Sequence, residues 1–265
     1  MKKYFCILPL TMCWACVGQV DDPEDPDIPE NVDPGGASEG TRFFHRVLAL
    51  DFTGAWCQYC PNMAVAIQRA QEERPGRIVD IAVHYGDAIS PPVSDVLVQR
   101  FAVNAFPTAV LDLKPSTRFS QQDAARFTAY VDETVPSETC GIAFESSVRD
   151  GTLTLTLTLK AVAEGSYSAA AALVEDGLIT SQTGASDRYV NRSVLRKFLG
   201  EGGMDGTIIG TLKAGEERTL SLTTQVQEPY DKQRIVAYIL VDCKVINVRD
   251  GSLNEKKDYD YETDS

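Results

Sequence analysis

The segment VLALDFTGAWCQYCP, residues 47–61, decides how the rest of the chain is read. Residues 47–52 are a short apolar run with one acid, Asp51, near its end. The turn Thr53-Gly54-Ala55 follows, then Trp56, then Cys57-Gln58-Tyr59-Cys60. Pro61 suits a first helical turn, where a missing N–H costs nothing. Beyond it Met63, Ala66, Ile67 and Ala70 recur at helical spacing. Strand, turn, CxxC and helix start, in that order, point to a redox cysteine pair.

The chemistry follows from position. Two cysteines three apart at a helix start can close a small disulfide ring. Backbone N–H groups and the helix dipole favour an anion there, so Cys57 is expected to be exposed and to ionise readily; the thiolate is the attacking species. Cys60, one turn in and more buried, would resolve the mixed disulfide. Asp51, six residues before Cys57 at the end of a buried strand, is expected to have a raised pKa and to move a proton for the buried thiol. The rival for a CxxC is structural zinc, which needs four Cys/His ligands. The chain has two histidines, His45 and His84, and no second CxxC, so neither a metal nor a cofactor is expected.

Asp51, Phe52, Trp56, Cys57 and Cys60 match the pattern D-F-x-x-x-W-C-x-x-C, and Phe106-Pro107-Thr108 precedes a second apolar run. In these residues the chain resembles the thioredoxin superfamily. The resemblance implies that Pro107 is cis, faces the CxxC, and with Trp56 holds an extended substrate segment beside Cys57. A second resemblance lies downstream. Residues 170–177 (AAALVEDG) and 189–196 (YVNRSVLR) look like a family of bacterial lipoproteins named for an outer-membrane protein of about 28 kDa. That likeness implies an envelope lipoprotein with a thioredoxin-like module and an immunoglobulin-like sandwich, and no established reaction.

At 265 residues and 43% hydrophobic, the chain is long enough for one large or two ordinary domains with a real core. Its net charge of −13 disfavours nucleic acid and anionic lipid headgroups, both of which need basic patches. Of seven cysteines, Cys6, Cys13 and Cys16 fall in or beside an N-terminal apolar stretch, and Cys57 and Cys60 form the pair. Cys140 and Cys243 remain. An even remainder in an exported chain suggests a structural disulfide; the alternative is two unpaired cysteines acting as small hydrophobes.

Residues 1–15 carry Lys2 and Lys3 before an apolar run too short to span a bilayer, and read as a secretory signal. Cleavage before Cys16 would leave it as a lipid-modified N-terminus, although Cys13 and Trp14 stand where leucine and a small residue are usual. Cys13 is an alternative lipid site, and an ordinary cleaved signal is the plainer reading. Residues 16–40 are rich in Asp, Glu, Pro and Gly and are expected to be an extended acidic tether. Residues 41–138 alternate strands and helices, as in a thioredoxin-like α/β domain. From residue 139 to 250 the pattern turns all-β. Its clearest strand is TLTLTLTL, residues 152–159, and the spacing of the others suggests a separate β-sandwich. Residues 187–199 break that rhythm and read as a long polar loop, and residues 251–265 read as a charged tail with little to bury.

Two functions are compatible with this organisation. One is an outer-membrane-anchored thiol-disulfide oxidoreductase of a Gram-negative envelope, on its periplasmic or surface face, acting on envelope proteins and touching the membrane through its lipid only. The other is a non-catalytic lipoprotein that binds a partner through its sandwich, with the CxxC structural or vestigial.

Overall fold

The computed structural model describes residues 42–263. The signal, the lipidation site at Cys16 and the acidic tether lie outside the described residues. β1 (Val47–Thr53) is buried along its whole length. It leads through the CxxC turn into α1 (Cys60–Glu73), whose apolar stripe of Met63, Ala66, Ile67 and Ala70 faces the sheet. β2 (Ile78–His84) returns parallel to β1, completing a β-α-β unit. Then come α2 (Ser94–Arg100), β3 (Thr108–Leu111), antiparallel to β1, and α3 (Ala124–Thr134). The spacing predicts α3 from residue 121. It begins at 124 because Asp123 caps it, its carboxylate accepting from the Ala125 N–H at 3.0 Å.

The remaining strands are β4 (Gly141–Arg149), β5 (Thr152–Lys160), β6 (Gly165–Glu175), β7 (Leu178–Thr180), β8 (Tyr189–Asn191), β9 (Val194–Leu199), β10 (Thr207–Leu212), β11 (Glu217–Gln225), β12 (Gln233–Val241), β13 (Lys244–Ser252) and the short β14 (Lys256–Lys257). In β5 the alternation does what its period dictates: Leu153, Leu155, Leu157 and Leu159 are buried while the threonines point outward.

The strands do not divide at residue 139. One large sheet runs β13-β12-β6-β9-β2-β1-β3, with β10 pairing the first half of β6. β9 joins β2 in parallel through Ala82 and Val194, and the Ala82 N–H donates to the Ser193 carbonyl at 2.8 Å. A separate immunoglobulin-like sandwich is therefore not what forms. The four-stranded sheet β11-β5-β4-β14 does pack face to face on another sheet, but that sheet is the one carrying the CxxC strand. The described residues belong to one compact unit.

Three apolar clusters explain the arrangement. Leu50, Ile81 and Val83 share one cluster with Leu97 of α2 and with Ala172, Val174, Leu195 and Tyr238 from the second half. On the opposite face, α1 and α3 cover β1 and β3. Alongside them the leucines of β5 cover Ala171, Leu173, Ile235 and Ala237.

Two further expectations are corrected. Residues 187–199 are not a loop. They hold β8 and β9, and Val194 and Leu195 are fully buried in the middle of the large sheet. The end of the chain is also no free tail. Phe43 bridges Tyr261, the Phe44 N–H donates to the Asp260 carbonyl, and Arg77 grips Glu262 with two bonds of 2.7 and 2.6 Å. Paired charges and stacked Phe43 and Tyr261 rings give those residues something to bury.

Candidate active site at the CxxC turn

The turn after β1 is built for close approach. The Cys57 N–H closes it on the Gly54 carbonyl at 3.0 Å. A Cβ on Gly54 would meet the Trp56 indole at 2.8 Å, so only glycine fits beneath that ring. The indole N–H of Trp56 donates to the Tyr85 carbonyl at 2.7 Å. Asp87 ties the loop after β2 to the same turn: its Oδ2 accepts from the Ala55 N–H at 2.8 Å and lies 2.7 Å from His84 Nδ1. Burial alone would raise this carboxyl. The bonds from His84 and Ala55 outweigh it and hold Asp87 down at about 2.

Cys57 and Cys60 are joined as a disulfide at the start of α1. The Phe106–Pro107 bond is cis. Phe106 lies between Trp56, 5.2 Å away edge-on, and Tyr85, stacked at 5.5 Å, which brings the proline loop against the CxxC turn. Trp56 and Tyr59 stand half-exposed beside it. Asp51 is buried in β1, its Oδ1 has no hydrogen-bond partner among the described residues, and burial, helped by the charge of Asp80, pushes its carboxyl up to about 8.

One expectation at the site fails. Cys57 is 4% exposed, scarcely more than Cys60 at 2%. The cover comes from the segment between β7 and β8, which sequence reasoning did not assign to the site. Gln182 is itself buried, and its amide donates to the carbonyls of Gly54 at 3.2 Å and Cys57 at 2.9 Å. The Thr183 N–H donates to the Ala55 carbonyl at 2.8 Å. Gly184 sits so close to Gln58 that a Cβ would lie 2.3 Å from its carbonyl oxygen. Nothing in SQTGAS marks these contacts, because they depend on a pairing 125 residues away in sequence. Replacing Gln182 with Ala should take its donor from the Cys57 carbonyl and leave the Gly54 carbonyl with the Cys57 N–H alone. It is expected to cost about 2 kcal/mol in urea unfolding of the oxidised protein, the usual penalty for stranded buried polar groups.

The disulfide expected between Cys140 and Cys243 does not form. Cys140 is fully buried at the start of β4, packed among the leucines of β5, whereas Cys243 lies exposed in the turn from β12 to β13. Among the described residues, no group of three His, Cys, Asp or Glu side chains is placed to hold a metal ion.

A β-α-β unit with a CxxC at the start of its helix, a cis-proline loop against that turn and a buried acid in the preceding strand together define a thioredoxin-like fold. Among solved structures, the chain is similar to HBP35 of Porphyromonas gingivalis, with a TM-score of 0.71 at 19% identity over 85% of this chain and 81% of that one. It is also similar to protein AGR_C_4864 from Agrobacterium tumefaciens, with a TM-score of 0.53 at 10% identity over 82% of this chain and 97% of that one. At these identities the likeness is one of fold, and the first covers both the α/β part and the added strands. No known family profile matches the chain, and no curated protein sequence does.

Proposed function

We propose that the protein is a thiol-disulfide oxidoreductase of the cell envelope, tethered through a lipid on Cys16. The observation that carries the redox part is the Cys57–Cys60 disulfide at the start of α1, with the buried acid Asp51 in the strand before it. Protein substrates would reach Cys57 from the side of Pro107, where Trp56, Tyr59 and Phe106 offer an apolar rim. Cys57 would attack the substrate disulfide, Cys60 would release the product, and Asp51 would carry the proton. The reading predicts that the wild-type protein accelerates dithiothreitol-driven reduction of insulin and that Cys57→Ser falls to the uncatalysed background. Unimpaired reduction by the variant would reject the site. A Cys60→Ser variant should trap mixed disulfides with envelope proteins in cells.

Anchoring rests on the N-terminal sequence and on the resemblance to envelope lipoproteins. Among the described residues no helix is long and apolar enough to cross a membrane. Substituting Cys16→Ser should abolish palmitate labelling and detergent partitioning; unchanged partitioning would remove the anchor.

The cover over Cys57 favours a second reading, in which the disulfide is structural and the added strands recognise a partner. The reduction potential separates the two. A very low value with no exchange against glutathione would mark a structural bond.

A further inference from the structure

The cover that β7 and β8 place over the CxxC turn leaves a cleft of about 740 Å³ beneath it, between α1, β2 and the hairpin. Cys60 lies on its wall and Cys57 does not. Asp51, Ala64, His84, Gln182 and Tyr189 are among the other residues that line it. Asp51 is the buried carboxyl whose Oδ1 has no partner among the described residues, and its charge is felt by Tyr189 across the cleft, where burial and then Asp51 raise the phenol. The other charged groups around the cleft are largely committed. Arg234 is held by Asp176 at 2.8 Å, Ser193 at 2.9 Å and Asp250, and Asp80 accepts from Gln71 at 2.9 Å.

A thiolate must approach a disulfide roughly along the S–S axis, so the wall on which a sulfur lies decides which sulfur is attacked and which one leaves. In this fold the two cysteines have been given different approaches. The hairpin covers the Cys57 turn on this side, and the cleft opens at Cys60.

From this division we infer that the cleft is a binding site for a low-molecular-weight thiol, which exchanges with the disulfide at Cys60 and not at Cys57. The inference rests on the oxidoreductase reading and adds a second entrance to the same site. The incoming thiol gives its proton to the Asp51 carboxylate, and its sulfur bonds to Cys60 Sγ as the Cys57–Cys60 bond breaks. The electron pair of that bond leaves on Cys57 as a thiolate, close to the N-terminus of α1. A second molecule of the thiol then gives its proton to the Cys57 thiolate and attacks the bound one's sulfur. That releases the small disulfide, and Cys60 takes the proton back from Asp51. Two small thiols are oxidised and one protein disulfide is reduced.

The test uses the oxidised full chain and 2-mercaptoethanol. Brief exposure, acid quench, alkylation of free thiols and tandem mass spectrometry should place the hydroxyethylthio group on Cys60 and the alkyl group on Cys57. In single-cysteine variants, the thiol of Cys57→Ser should accept that group from 2-hydroxyethyl disulfide about tenfold faster than the thiol of Cys60→Ser, because access governs exchange. Ala64→Trp, which fills the cleft from the partly exposed side of α1, should slow reduction of the wild-type disulfide by 2-mercaptoethanol by about the same factor. An adduct on Cys57, or an Ala64→Trp protein that folds and reacts at the wild-type rate, overturns the inference. If insulin is still reduced in that case, the oxidoreductase reading stands without it. If neither insulin nor 2-mercaptoethanol exchanges, both fall.

Discussion

A chain cut after residue 139 is expected to show no cooperative unfolding transition in urea, although it would keep every element of the thioredoxin-like part. The reason is the shared sheet. β2 has β1 on one side and β9 on the other, and the face carrying Leu50, Ile81 and Val83 is continuous with Ala172, Val174, Leu195, Val236 and Tyr238. Removing the second half would bare that face and the β2 edge at once. Each large side chain returned to water loses roughly 1.5–3 kcal/mol. A handful of them exceeds the roughly 5–15 kcal/mol that keeps a typical domain folded. The full chain should unfold in a single step by near-ultraviolet and far-ultraviolet circular dichroism alike. Val174→Asp, which buries an unpaired carboxylate at the seam, should abolish that transition in both halves together. A fragment of residues 41–139 with its own sigmoidal curve would show that the seam is dispensable.

Asp51→Asn should stabilise the oxidised protein, by about 4 kcal/mol at pH 7. Burial raises the carboxyl from 3.8 to about 8. A group held above its unfolded value contributes stability that is fully present below the unfolded pKa and lost as pH rises through the folded one. The wild-type protein should therefore weaken steadily between about pH 4 and pH 8, by roughly 1.4 kcal/mol per pH unit from this residue alone. The asparagine variant lacks that slope. Urea midpoints measured at pH 4, 6 and 8 give both lines, and parallel curves would mean that Asp51 is not titrating in the fold. A residue that destabilises its own strand invites a chemical explanation, and the proton transfer at Cys60 proposed above would supply one. The same substitution should slow disulfide exchange as it strengthens the fold.

The local parts of this architecture were legible in the sequence. The Val47–Thr53 strand, the α1 stripe and the Thr/Leu alternation of β5 follow from period and turn chemistry. The Cys57–Cys60 pair was legible in residue type and spacing, and the cis bond at Pro107 in the resemblance that Phe106-Pro107-Thr108 carries. What could not be read was long-range pairing. VLRKFL, residues 194–199, has four apolar residues around two cations and looks like part of a polar loop, yet Val194 and Leu195 sit where the two halves of the sheet meet. Gln182 is a neutral residue in a short turn, and its importance comes entirely from where β7 and β8 carry it. The expected Cys140–Cys243 bond rested on counting alone, and counting does not see that one cysteine is in the core and the other on a turn.

The antiparallel bridge between Phe43 and Tyr261 has a mechanical consequence. A pull on the chain ahead of residue 42 would be met first by that bridge and by the grip of Arg46 on Asp260 and of Arg77 on Glu262, before β1 felt any load. Residues 260–262 thus act as a strain relief for the strand that ends at the cysteines.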